Sequence, residues 1–407
     1  MEIIVCAMLI GFPLWSPAPA VGLTSMVLLS CFILARHHLM PLQTEDWAVI
    51  IALLAVPGVT AFGLLLHHDS LWVLDRPARL LFGVPIFLAV RLLGFNFHRF
   101  TLSAAAAAVG SAGIAIVDLL GGLERASGQA GHPIVFGNTA LLFGLLCVWS
   151  LMSTPNTRGR LAHLLFLLGV ISGVLASIAS GSRGGWIALP PLLMLMLILA
   201  HQPHRLNWKL LIGLAAGFLL IGALLHQQIY ARLTPVVDGL RFVLSSSDAP
   251  PSHLISVVAR LDMWREALEA WRQSPWIGIG PDQFIARLSA RAEMGFMEPG
   301  RVHAHNEFLT QSAWFGVMGV LGLMTLLLGF VKGLSKAWRS AWASAGLIVT
   351  ASFFLFGLTD SMFSMMNRVE LYTVLLALCA GAARHEQMAQ VNERKESQDS
   401  QAGHCQA

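Results

Sequence analysis

The sequence predicts an all-α, polytopic integral membrane protein, and three observations carry that prediction. Of its 407 residues, 56% are hydrophobic and only 12% charged, about half the charged share of an ordinary soluble domain. The mean hydropathy is +0.68. Apolar runs of about 17–25 residues recur along nearly the whole length, and each could cross a hydrocarbon core about 30 Å thick. Inside lipid every backbone group must bond within its own segment, so such runs must be helices. A net charge of +4 would suggest a nucleic-acid partner in a soluble protein. Here the excess cations belong to loops flanking the spans, and no nucleic acid is expected.

In chain order the expected spans are 2–15, 19–35, 46–67, 78–94, 100–119, 134–152, 161–179, 184–200, 208–226, 307–331, 341–359 and 368–384. That makes about twelve transmembrane helices. Met1–Trp15 lacks a basic stretch followed by a convincing cleavage site, so it reads as a retained helix. Ser16-Pro17-Ala18-Pro19 makes either a turn or a kink before the second span. The long gap after the ninth span divides the chain into helices 1–9 (1–226), a large loop (227–306), helices 10–12 (307–384) and a polar tail (385–407) expected to be disordered. Cys6, Cys31, Cys147, Cys379 and Cys405 show neither metal-type pairs nor a disulfide framework.

Orientation follows from the basic residues of short loops. With the N-terminus inside, the inner loops hold Arg36, Arg91, Arg99, Arg158, Arg160, Arg205, Lys209, Lys332, Lys336 and Arg339. The short outer loops hold Arg76, Arg79, Arg125, Arg183 and Arg368, and the tail's Lys395 is also inside. The large loop is then extracytoplasmic. It carries arginines at 232, 241, 260, 265, 272, 287, 291 and 301 and no lysine. Arginine is preferred where a planar fork must grip phosphate or carboxylate through two bonds. Within the loop, Ser256–Ser274 reads as an amphipathic helix with Val257, Leu261, Trp264, Leu268 and Trp271 on one face, expected to rest on the membrane domain or its interface.

Four sequence-distant features share the outer side. Arg183 lies in Ser180-Gly181-Ser182-Arg183-Gly184-Gly185 at a helix mouth, where free N–H groups favour anions; it could equally snorkel to headgroups. Arg260 sits one turn before Trp264. His303 and His305, in Arg301-Val302-His303-Ala304-His305-Asn306-Glu307, lack a third metal ligand but could accept a hydroxyl proton, with Asn306 or Glu307 fixing the tautomer. Asp360, in Gly357-Leu358-Thr359-Asp360-Ser361, could orient an arginine or histidine, and Asp118 is a weaker candidate. Gly131-His132-Pro133-Ile134-Val135-Phe136-Gly137-Asn138 suits a backbone-lined pocket.

His303-Ala304-His305-Asn306-Glu307-Phe308-Leu309 followed by Trp314-Phe315-Gly316-Val317-Met318-Gly319 resembles the O-antigen ligase/polymerase superfamily. So do Arg260-Leu261-Asp262-Met263-Trp264 running into Pro275-Trp276-Ile277-Gly278-Ile279-Gly280, the Ser-Gly-Ser-Arg-Gly-Gly stretch, and the His-Pro-Ile-Val-Phe-Gly stretch. The resemblance covers residues 130–365. It implies a glycosyltransferase of the bacterial inner membrane with its active site facing the periplasm. Such an enzyme moves a glycan from undecaprenyl diphosphate to an acceptor, without cofactor, metal or nucleotide sugar. In the ligase branch the acceptor is a sugar hydroxyl of lipid A–core. Carried over, Arg183 and Arg260 would hold the diphosphate and stabilise charge developing on the leaving group. His305 or His303 would be the base, the Ala-His-Asn pattern favouring His305, with Asp360 and Asn306 in support. An O-antigen polymerase and a protein O-oligosaccharyltransferase are alternatives within the superfamily. The chain ends soon after its last span, which tilts away from protein glycosylation. A lipid or glycan transporter would instead place ionisable residues at the midplane of its spans.

Overall fold

A computed structural model describes residues 1–153, 159–200, 226–245, 251, 254–338 and 340–404. Among the described residues the regular structure is all helical: α1 (Glu2–Gly11), α2 (Ala18–Arg36), α3 (Thr44–His67), α4 (Gly83–Leu93), α5 (Phe97–Leu120), α6 (Pro133–Ser153), α7 (Arg160–Ser180), α8 (Arg183–Leu199), α9 (His226–Ser245), α10 (Ile255–Gln273), α11 (Pro281–Glu293), α12 (Glu307–Leu334), α13 (Ala341–Gly357) and α14 (Met366–His404). Six helices, α2, α3, α5, α6, α7 and the α12 segment, are long and apolar enough to cross a membrane, while α1, α8 and α13 are apolar but shorter. The chain is a multi-pass membrane protein. The span expected at 208–226 lies outside the described residues except for His226, and Arg158, Arg205, Lys209, Arg339 and Cys405 lie outside them too.

Local chemistry sets the helix starts. Gln43 and Asp46 close a capping box at α3, Asn96 accepts from the Arg99 amide at α5, and Ser340 accepts from the amides of Trp342 and Ala343 at α13. The segment expected as a span over 78–94 is shorter than predicted: Pro77–Phe82 is a 3-10 turn, and only Gly83–Leu93 is α-helical. Its Arg79 pairs with Asp75 and Glu370, so this stretch is tied to protein rather than to lipid. The tail also differs from expectation. Rather than being disordered after Arg384, α14 continues to His404, through a run rich in Ala, Glu, Gln, Arg and Lys that forms helix readily even without an apolar face.

α6 is the hub, buried on nearly all sides, with α7, α5 and α8 packed around it. Apolar side chains such as Leu28, Ile51, Leu65, Ile116 and Leu164 face outward from the bundle and form its lipid-facing surface.

The charged residues sort to opposite ends. At one end Asp46 meets Arg91 at 3.0 Å and Arg384 at 2.8 Å, while Glu45 meets Lys336 at 2.9 Å. Arg91 also donates to the carbonyls of Met40 and Pro41. These are residues expected on the inner side. At the other end lie the 3-10 turn Leu71–Leu74, the α8 mouth, α10, α11 and the turn between α13 and α14.

α12 is not one continuous span. Gly316 adopts φ 63°, ψ −147° and breaks it. The backbone groups freed by the break pair with the loop after α10: Ile279 N–H donates to Ala313 O at 2.9 Å, Gly280 N–H to Trp314 O at 3.0 Å, and Val317 N–H to Pro275 O at 2.8 Å. Gly278, also at positive φ, sits so close that a Cβ there would lie 2.4 Å from the Trp314 carbonyl. Two motifs far apart in sequence are thus one interlocked backbone crossing.

α10 forms where expected but buries a different face. Ala259, Met263, Ala267 and Ala270 pack with Ala304, Ala313 and Phe315, whereas Leu268 and Trp271 of the expected stripe remain exposed. The small alanines let α10 approach closely. Asp262, on this buried side, is satisfied by a two-pronged bridge to Arg291 of α11 at 2.8 and 2.5 Å.

Candidate active site

The site forms where four segments converge at the second end of the bundle. Gly181, in the left-handed conformation that glycine tolerates, reverses the chain between α7 and α8 and leaves Arg183 as the first residue of α8. A Cβ on Gly184 would lie 2.0 Å from Thr359 Oγ1, so glycine is what allows α8 to touch the α13–α14 turn. Ser182 Oγ donates to Asn138 Oδ1 at 2.6 Å, tying this mouth to α6.

His305 is the centre of the second half. It holds φ 48°, a conformation costly for a residue with a Cβ. Its neighbours enforce that conformation. Ala304 N–H donates to Thr310 Oγ1, Ala304 O accepts from Trp264 Nε1 of α10, and Asn306 both caps α12 and donates to Leu358 O at 3.0 Å. The imidazole Nδ1 lies 3.1 Å from Asp360 Oδ1, and Asp360 Oδ2 accepts from Arg368 Nη1 at 2.7 Å. Arg368 is fixed by further bonds to Ser361 O and Ser364 Oγ. Burial alone would raise the Asp360 carboxyl, but the Arg368 guanidinium and the His305 ring hold it far below the ordinary carboxylate range. An ionised Asp360 accepts the hydrogen bond of Nδ1–H, which keeps the proton on Nδ1 and leaves Nε2 of His305 with its lone pair. Arg301 Nη1 faces that lone pair at 3.4 Å, and its other arm pairs with Glu298.

His303 is built differently although its ring packs edge-on to His305 at 4.5 Å. Its Nδ1 accepts the His305 backbone N–H at 3.3 Å, so its proton resides on Nε2. Burial, reinforced by the nearby His305, pushes it down to about 3, so it is neutral near pH 7. The two histidines therefore present opposite faces, a lone pair on His305 and an N–H on His303.

Beside this relay opens a cavity of about 260 Å³ lined by Arg125, Arg183, Arg260, Ser182, Trp264 and Thr359. Arg260 Nη1 donates to Thr359 O at 3.0 Å, and Arg125 Nε donates to Ser180 O at 2.8 Å. Burial lowers the affinity of Arg260 for its proton and Asp360 opposes that, as expected of a cation placed to meet an anion. Three arginines thus line one concavity, and guanidinium groups are suited to pairing with anionic oxygens.

Of the residues singled out in the sequence, Arg183 and Arg260 share the cavity, and His303, His305, Asp360 and Asn306 share the relay. Asp118 stands apart: its carboxylate caps the turn through the amides of Ser127 and Gly128. The tautomer of His305 is set by Asp360 and by neither Asn306 nor Glu307. Glu307 instead accepts from Ser361 Oγ and Gln311 Nε2, fixing the turn that carries Asp360. Arg125, Arg301 and Arg368 were not singled out. Arginine at a span end reads as a headgroup anchor, and nothing local distinguishes one that turns inward.

A family model described as O-antigen ligase matches residues 167–327. The chain is also 23% identical over 317 residues to an uncharacterized protein of Haemophilus influenzae, an alignment that covers 72% of this chain and 75% of that protein.

Proposed function

We propose that this chain is an O-antigen ligase, a reading supported by the similarity of residues 167–327 to a family model of that description. It transfers O-polysaccharide from undecaprenyl diphosphate to a sugar hydroxyl of lipid A–core at the periplasmic face of the bacterial inner membrane. The observation that supports this most directly is the contact between the three-arginine cavity and the relay: Arg260 binds the Thr359 carbonyl, one residue from the Asp360 that orients His305.

In this reading Arg183 and Arg260, joined by Arg125, hold the diphosphate. The acceptor hydroxyl displaces Arg301 from His305 Nε2 and gives up its proton there. The hydroxyl oxygen attacks the anomeric carbon, and the bond from that carbon to the diphosphate oxygen breaks. The electron pair leaves with the diphosphate, whose growing charge the arginines stabilise. A single displacement inverts the anomeric configuration. Diphosphate is already a good leaving group, so alignment of two membrane-held substrates supplies much of the rate. The reading assigns the base role to His305 over His303, because His303 presents an N–H where a base needs a lone pair.

Deleting the gene tests the function. A ligase leaves bare lipid A–core and long undecaprenyl-linked polymer, whereas a polymerase leaves core bearing a single repeat; unchanged glycans would overturn both. For the mechanism, His305→Ala and Arg260→Ala should each lower transfer by at least about 100-fold while the protein stays in the membrane. Full activity in both variants would refute it.

A further inference from the structure

Besides the arginine cavity, a second, much smaller cleft is lined by His303 and Ser361. Thr359 lines the first and Ser361 the second, with Asp360 between them. The second is lined by Thr60, Trp72, Arg76, His303, Gln311 and Trp314, among others, and has room for about 20 Å³, one water-sized group. Two of its polar atoms stand out. Thr60, 1% exposed, and Trp314, 9% exposed, bury Oγ1 and Nε1 respectively with no hydrogen-bond partner among the described residues. Buried polar groups are nearly always paired, and an unpaired donor and an unpaired hydroxyl lining one small cleft call for a group that both accepts and donates. A sugar hydroxyl does both. At the mouth stands Trp72, 45% exposed, with the Arg76 guanidinium 5.8 Å over its ring. An exposed indole offers the flat apolar surface on which a sugar ring rests, and Arg76 supplies donors for the oxygens around it.

We propose that this cleft is the acceptor-sugar subsite: one acceptor hydroxyl bridges Trp314 Nε1 and Thr60 Oγ1 while the ring lies on Trp72. The proposal rests on the transferase reading above and deepens it. It brings the acceptor beside His303, whose ring packs edge-on to the proposed base His305. In a single displacement the nucleophile must approach from the side opposite the leaving group, and the arginine cavity already fixes the leaving group's side.

The test uses full-length protein in detergent and lipid A–core extracted from the producing bacterium after deletion of the gene. Thr60→Val keeps shape and removes the hydroxyl; Trp314→Phe removes the N–H. Each should weaken lipid A–core binding to the His305→Ala protein, and raise the acceptor KM of the active enzyme, by about five- to tenfold, the loss of one hydrogen bond. The donor KM should stay within about twofold. Trp72→Ala should act in the same direction, and Trp72→Phe should restore most of the affinity by keeping an aromatic face. Unchanged acceptor binding in both Thr60→Val and Trp314→Phe overturns the subsite and leaves the transferase reading standing. A raised donor KM with an unchanged acceptor KM also overturns it, since the cleft would then serve the donor. If binding responds as expected but His305→Ala retains full transfer, the proposed base fails while the subsite survives.

Discussion

At the scale of single residues, the site works by giving two neighbouring histidines different partners. His303 is held neutral by burial, well below its ordinary value of 6.5. A histidine depressed on folding binds fewer protons folded than unfolded between about pH 3 and 6.5, so folding stability contributed by this segment is complete above about 6.5 and is lost as the pH falls. We therefore expect the melting temperature to fall from pH 6.5 to 5, and His303→Gln to flatten that slope; a slope identical in wild type and variant would contradict the assignment. Asp360 is depressed too, but from 3.8, so its contribution is lost only at lower pH and leaves the range from 6.5 to 5 to His303. The histidine pair was legible in the sequence as chemistry, but its division of labour was not. The tautomer of His305 is decided by a carboxylate 55 positions away, and that carboxylate by an arginine in yet another helix.

At the scale of elements, the crossing of Gly278 and Gly316 ties the loop to α12. Most helix positions could be read from hydropathy, because lipid forces each apolar run into a helix. The break at Gly316 could not, since a single glycine within an apolar run also occurs in unbroken spans and only the partner segment reveals the difference. The same limit hid the buried face of α10: alanines carry little hydropathic weight, yet close approach selects them over the Trp/Leu stripe. A side chain at Gly316 would meet the Trp276 carbonyl carbon at 2.4 Å in a conformation that L-residues avoid. Gly316→Ala should cost about 1–3 kcal/mol locally and open the loop. Limited proteolysis between α10 and α12 should become faster, and transfer should fall. Gly278→Ala should do the same, with the double variant little worse than either single one because both break one crossing. Fully additive losses would argue that the two glycines act separately.

At the scale of the whole molecule, the partition of charge between two ends agrees with the arginine and lysine bias read from short loops. Residues assigned to the inner side meet in one ion cluster, and those assigned to the outer side surround the candidate active site. In a chain whose own cysteines are replaced, cysteine at Leu123, an exposed position beside the site, should react with a membrane-impermeant maleimide in intact spheroplasts. Cysteine at His38, exposed at the opposite end, should react only after permeabilisation. The reverse pattern would turn the molecule over and place the site in the cytoplasm.

The ion cluster at the inner end also bears on biogenesis. Asp46 is threaded into α3 early in synthesis, but Arg384, one of its two guanidinium partners, is made 338 residues later. Arg91 arrives with α4 and neutralises the carboxylate in the meantime, which leaves the second arginine to complete the pairing only when α14 inserts. A buried charge without its full set of partners is costly in a bilayer. Every nascent chain shorter than Arg384 thus carries an unfinished salt bridge near its start. The pairing therefore closes α3 onto α14, two helices far apart in the chain, only after α14 has been made.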